Sequence, residues 1–166
     1  MNWREKDYKN QAKSRSIIES YLKNDQWATK FCMDLIYIAH LWDDLVDKDK
    51  ERTTYEISDA FRLAMCGLTA NPFYVTNISQ LHPLIMDVIL KYDAVVKLEK
   101  SKDDHTQLIA FTLSNALLGV IAYCIFLVGG INYYREVIDS FYKELWIDVE
   151  EHLIEFLREK RDANSY

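Results

Sequence analysis

The sequence predicts an all-α fold: a single-domain helical bundle of about six helices over residues 1–166. Two observations carry that expectation. Apolar residues recur at helical spacing over nearly the whole chain. Four glycines and two prolines are too few for a β-protein, whose short strands need frequent tight turns. Hydrophobic residues at 49% against 28% charged describe a globular chain long enough to bury a core.

The elements follow in order. Helix one is expected from about Lys6 to Lys23. Asn24-Asp25 supplies a cap for helix two, which reaches Asp47. Lys48 to Thr54, charged and polar throughout, reads as a mobile rim. Helix three covers roughly Tyr55 to Leu68 and stops before Asn71-Pro72, because proline steers its preceding residue out of the helical region. Pro83, a good first-turn residue, opens helix four, which continues to about Leu98. Asp103 or Asp104 caps helix five, which ends at Gly129-Gly130. Helix six, from about Asn132 to Lys160, is the longest. Internal repeats, low-complexity tracts and interdomain linkers are not evident.

Charge and composition narrow the function. A net charge of −6, with no basic stripe to offset it, argues against a nucleic-acid partner. Cys32, Cys66 and Cys124 are widely spaced in apolar runs, and read as buried thiols of a reducing compartment. The segment before Ser16 has no apolar run of the signal-peptide kind, so the expected location is the cytoplasm. From Leu108 to Val128 no residue is charged, long enough for a membrane span. Thr112, Ser114 and Asn115 lie inside it and no basic cluster flanks it, so a buried central helix is the expectation rather than a span. Self-association as a homodimer stays open.

The candidate site is the end of helix two. At about 100° per residue, His40, Asp43, Asp44 and Asp47 share one arc with Met33, Ile36 and Tyr37, while Phe31, Ile38, Trp42 and Leu45 lie opposite. A helix apolar on both sides is usually buried. Three packed carboxylates would repel one another and resist desolvation; a hard divalent cation relieves both. Helix six carries a second acidic arc of Glu144, Asp148, Glu151, His152, Glu155 and Glu159. Its i,i+4 neighbours are like-charged, which a solvated face normally avoids, although such a face is also the plainest account of it. His40 and His152 read first as hydrogen-bond partners that orient carboxylates, and less readily as ligands.

Asp43-Asp44-Leu45-Val46-Asp47 resembles the DDxxD motif of class I isoprenoid enzymes, the all-α terpene synthases and prenyl diphosphate synthases. The resemblance covers the chain from that motif to the acids around Asp148, and the chain is close to half the length of a typical member. Ile147 to Glu155 offers acids and a His at helical spacing where the family has its second metal motif, but the hydroxyl residue of that motif is absent. The resemblance implies Mg²⁺ held by Asp43, Asp44 and Asp47 with Asp148, Glu151 and Glu155, and an isoprenoid diphosphate or phosphate as ligand. It further implies Arg62 and Arg158 as diphosphate partners, with Lys48 or Lys50 on the rim. The prenyl tail would lie along Met33, Ile36 and Tyr37 and against Phe111, Asn115 and Gly119. Two other functions fit the residues: an all-α metal-dependent phosphohydrolase of the HD or nucleoside triphosphate pyrophosphohydrolase type, and a non-catalytic module binding a lipid or a helix.

Overall fold

Helices make up the described structure from end to end, as the periodicity predicts. The computed structural model describes residues 3–48 and 50–163, and side chains from 12 to 48 and 50 to 145. The chain divides into two compact units, residues 1–81 and 82–166.

In the first unit, α1 (Trp3–Tyr21) turns into α2 (Gln26–Asp47) through Lys23 and Asn24, both at positive φ. Asp25 then caps α2, its carboxylate accepting from the Trp27 and Ala28 amides at 2.9 Å, which satisfies two of the orphan donors of the first turn. Both limits of this helix fall where the sequence places them. It ends at Lys48, which adopts the left-handed conformation and donates its amide to the Asp44 carbonyl.

α3 (Thr54–Arg62) runs on into a wide π turn, Leu63–Gly67. A short α4 (Pro72–Thr76) follows, with proline in its first turn and Asn71 as cap. Sequence periodicity does not reveal α4, because one turn and a half is too short to show a period. Asn71 is fully buried. Its carbonyl oxygen accepts from the Phe73 and Tyr74 amides, and its amide donates to the Trp27 carbonyl at 3.0 Å, joining α4 to α2.

The core of this unit forms around α2, which packs against α1, α3, the π turn and α4. Ile18, Leu22, Phe31, Cys32 and Leu35 are buried in it, and Phe31 stacks on Tyr74 with ring centroids 5.3 Å apart. Burying a side chain of this size contributes about 1.5–3 kcal/mol. The C-terminal third of α2 is different. Leu41 and Asp44 are buried there, whereas Trp42, at 55% exposure, and Leu45 and Val46 face outward. The expected two-sided burial of helix two stops at about His40.

α5 (Ile78–Leu98) begins one turn before the expected start at Pro83, which is accommodated inside the helix. In the second unit, Asp103 caps α6 (Asp104–Ser114) by accepting from the Thr106 amide at 2.8 Å. Helix five is expected to run unbroken to Gly129-Gly130. The backbone instead departs from helical geometry at Asn115 and resumes in α7 (Ala116–Ala163), which is kinked at Gly130 (φ 74°, ψ 176°). That φ is open to glycine and strained for other residues, so the kink falls where the sequence expects one helix to end. Val120, Ile121, Cys124, Ile125 and Phe141 are buried along α7, and Phe126 and Tyr134 meet edge to face across the kink.

The expectation of a buried central helix is only partly realised. The most apolar 18-residue window between Asp104 and Leu145 has a mean hydropathy of 2.1, yet 28% of it is buried. The thiols also divide: Cys32 and Cys124 are buried as expected, Cys66 is exposed, and none of the three forms a disulfide.

Candidate functional site at the end of the second helix

Asp44 determines how the chain leaves α2. Its backbone carbonyl accepts from Lys48 at 3.0 Å. Its carboxylate, 3% exposed, turns inward and accepts from Arg52 Nε at 2.6 Å and from the Arg52 Nη2 amine, with Lys50 Nζ at 3.3 Å on the other oxygen. Two cations therefore compensate a carboxylate that burial alone would penalise. Arg52 also reaches Glu56. Burial works against the guanidinium charge. The hydrogen bond and charge of Asp44, and then those of Glu56, outweigh it and hold the group above its usual range.

Glu56 links the turn to α3. Thr53 is the N-cap: its hydroxyl accepts from the Glu56 amide at 3.2 Å, while the Glu56 carboxylate accepts from the Thr53 amide at 2.7 Å. This reciprocal capping box satisfies two donors at once. The Thr53 amide, then its hydroxyl, holds the Glu56 carboxyl below the usual carboxylate range. Tyr37 adds a bond across helices, its phenol donating to the Glu56 carbonyl at 3.2 Å. Burial, followed by the charges of Asp59 and Glu56, raises the Tyr37 phenol. The expected mobile rim is thus tethered at Asp44, Arg52 and Thr53.

Asp43 and Asp47, one turn apart on α2, are both exposed, as is His40. Beside the turn, Glu51, Arg52, Thr53, Thr54 and Tyr55 line an open hollow of about 500 Å³. The three aspartates are therefore not equivalent: Asp44 is buried against Arg52 and Lys50, whereas Asp43 and Asp47 are exposed. Among the described residues, no three His, Cys, Asp or Glu side chains gather as a metal-ligand cluster.

The remaining expected site residues are distributed as follows. Met33, Ile36 and Tyr37 are half-buried on α2, in the first unit. Phe111, Asn115 and Gly119 belong to the second unit, where the Asn115 amide donates to the Phe111 carbonyl at 2.8 Å. Gly119 borders a hollow of about 440 Å³, shared with Ala122, Tyr123, Phe126, Ile131, Tyr134 and Tyr142. Arg62 is exposed and paired with Asp59 at 2.8 Å. The side chains of Asp148, Glu151, His152, Glu155 and Arg158 lie outside the described residues.

Arg52 and Thr53 are the residues that sequence reasoning overlooks. The signal for Thr53 was present: Thr53-Thr54-Tyr55-Glu56 has the S/T-x-x-E spacing of a capping box. Arg52 carried none, since its role depends on a turn that brings it back to Asp44. In comparisons with family models, curated proteins and solved structures, the chain matches none.

Proposed function

We propose that the end of α2 and the following turn bind the phosphate or diphosphate of an isoprenoid with the help of Mg²⁺. The observation that carries this reading is the division of labour among the aspartates. Asp43 and Asp47 present two outward carboxylates one helical turn apart, while Asp44 between them anchors Lys50 and Arg52. Magnesium is commonly held by one or two protein carboxylates, with waters and substrate phosphate completing its shell. Two carboxylates suit a cation that arrives with its ligand better than a resident one.

Within this reading Asp43 and Asp47 would hold the metal, which supplies charge neutralisation for the phosphate. Lys50, 37% exposed, offers the phosphate a cation at this turn, while Arg52 and the amide end of α3 are engaged by Asp44, Glu56 and the capping box. Val46, exposed beside Asp47 on the same helix end, gives the hydrocarbon an apolar contact worth about 0.8 kcal/mol per buried CH₂. Turnover is a separate matter from binding.

The test is thermal stability of the full chain with Mg²⁺ plus geranyl diphosphate, and separately with Mg²⁺ plus a nucleoside triphosphate. A ligand selective for the folded state raises the midpoint. Stabilisation by the prenyl compound that needs Mg²⁺ and is absent in Asp43→Asn and Asp47→Asn supports the reading. A response to nucleotide alone transfers the site to a phosphohydrolase. No response to either leaves a non-catalytic module, a reading favoured by the exposure of Phe61 at 68% and of Met65 near it.

A further inference from the structure

We infer that the segment from Thr106 to Gly129 crosses a lipid bilayer. Three independent observations converge on it. The first is length: no residue between Thr106 and Tyr134 carries a formal charge. At 1.5 Å per residue Thr106–Gly129 extends roughly 36 Å along helix axes, enough for a hydrocarbon core of about 30 Å with some tilt. The stretch ends at the Gly130 kink, beyond which Tyr133 and Tyr134 precede Arg135. Tyrosines just inside the first charge are the usual residues of the membrane–water interface.

The second observation is burial. A charge-free helix of a water-soluble protein should be covered by its own fold. Here 28% of the most apolar window is buried; Leu108 and Ile109 on α6 are exposed, and most of residues 111–129 are half-buried rather than fully covered. Water is a poor solvent for such a surface and lipid a good one.

The third observation concerns the polar residues that at first argue against a span. The Thr112 hydroxyl donates to the Leu108 carbonyl and the Ser114 hydroxyl to the Phe111 carbonyl, both at 2.8 Å. The Asn115 amide donates to the Phe111 carbonyl, also at 2.8 Å. At the near end, the Gln107 amide donates to the Ser101 carbonyl at 2.7 Å and the Thr106 hydroxyl to Asp103 at 2.6 Å. Every aliphatic hydroxyl and amide side chain of the segment donates a hydrogen bond locally, as hydrocarbon requires and water does not. The break at Asn115 is supported in the same way, with the Leu118 amide returning to the Asn115 carbonyl.

Gly119 supplies the discriminating test. It is exposed near the middle of the segment, and a side chain there would meet nothing within 4 Å. An arginine is therefore tolerable at that position in water and unfavourable in lipid. The full chain is expressed without detergent, and its membranes are washed with alkaline carbonate. Wild type is expected to stay with the membranes and to float with phosphatidylcholine–phosphatidylglycerol vesicles. Gly119→Arg should move most of the protein into the wash, while Ser58→Arg, on exposed α3, should not. A wild-type chain recovered as a soluble monomer overturns the inference, and so does a soluble dimer, in which a second copy covers the surface. Retention of Gly119→Arg at the wild-type level also overturns it. If Gly119→Arg does not accumulate, protection of residues 106–129 from hydrogen exchange in vesicles decides, and its absence overturns the inference.

Discussion

The guanidinium of Arg52 closes onto the buried carboxylate of Asp44, eight residues back along the chain, with Nε at 2.6 Å from Oδ2. The side chains are 9% and 3% exposed, so each charge depends on the other. Removing Asp44 leaves Arg52 only its 3.4 Å contact with Glu56, and breaking a buried pair typically costs about 3–5 kcal/mol. Asp44→Ala should lower the unfolding free energy in urea by that order. The double variant Asp44→Leu with Arg52→Met should recover much of the loss, because two apolar groups need no compensation. A double variant as unstable as the single would mean that the site needs its charges for another reason.

Asp43 and Asp47 should behave in the opposite way. Both are exposed, so Asp43→Asn and Asp47→Asn are expected to change stability by no more than about 0.5 kcal/mol. Both should nevertheless abolish the magnesium-dependent stabilisation by prenyl diphosphate. Calorimetric titration of the two variants beside Asp44→Asn separates a ligand-binding pair from a structural carboxylate.

The capping box gives a pH signature. Glu56 has a carboxyl pKa lowered from 4.5, chiefly by the Thr53 amide. A folded-state pKa below the unfolded one means that the unfolded chain binds more protons. The resulting stability is complete above about pH 4.5 and is lost as pH falls through the lowered value. Glu56→Gln should flatten that part of the stability profile. Thr53→Ala should cost about 1 kcal/mol and flatten it only in part, since the backbone amide of residue 53 remains.

Asn71 works as a cap in both directions, accepting at α4 and donating to α2. Asn71→Ala removes two accepted bonds at the start of α4 and one donated to α2, for an expected loss of about 2 kcal/mol. Asn71→Asp keeps the acceptors but puts a charge beside the Trp27 carbonyl, so it should not rescue stability. Urea denaturation of the pair reads out the donated bond.

Much of this architecture is legible from the residues. The limits of α2 follow from Asp25 and from the end of the apolar run, and the Gly129-Gly130 break is where the periodicity ends. The beginning of α5 is misread because Pro83 resembles a start signal, although the helix begins at Ile78 and forgoes the one bond that the Pro83 nitrogen cannot donate to the Ser79 carbonyl. The fate of the aspartates is less accessible. Helical spacing places Asp43, Asp44 and Asp47 on one arc, but a difference of one position separates a buried carboxylate from an exposed one. Which of them turns inward depends on Arg52, and the return of that side chain depends on a left-handed residue at Lys48. No periodic signal encodes such a turn.

The π turn at Leu63–Gly67 also bears on how this chain tolerates change. The Leu68 amide reaches back five positions, to the Leu63 carbonyl at 2.9 Å, so that turn stores one residue more than a regular helix needs. Excising exposed Ala64 would let the coil tighten without re-aiming Leu68, which is buried. The same excision within α2 would rotate every later side chain by about 100°. A one-residue deletion is therefore absorbed more readily at the π turn that follows α3 than inside a regular helix.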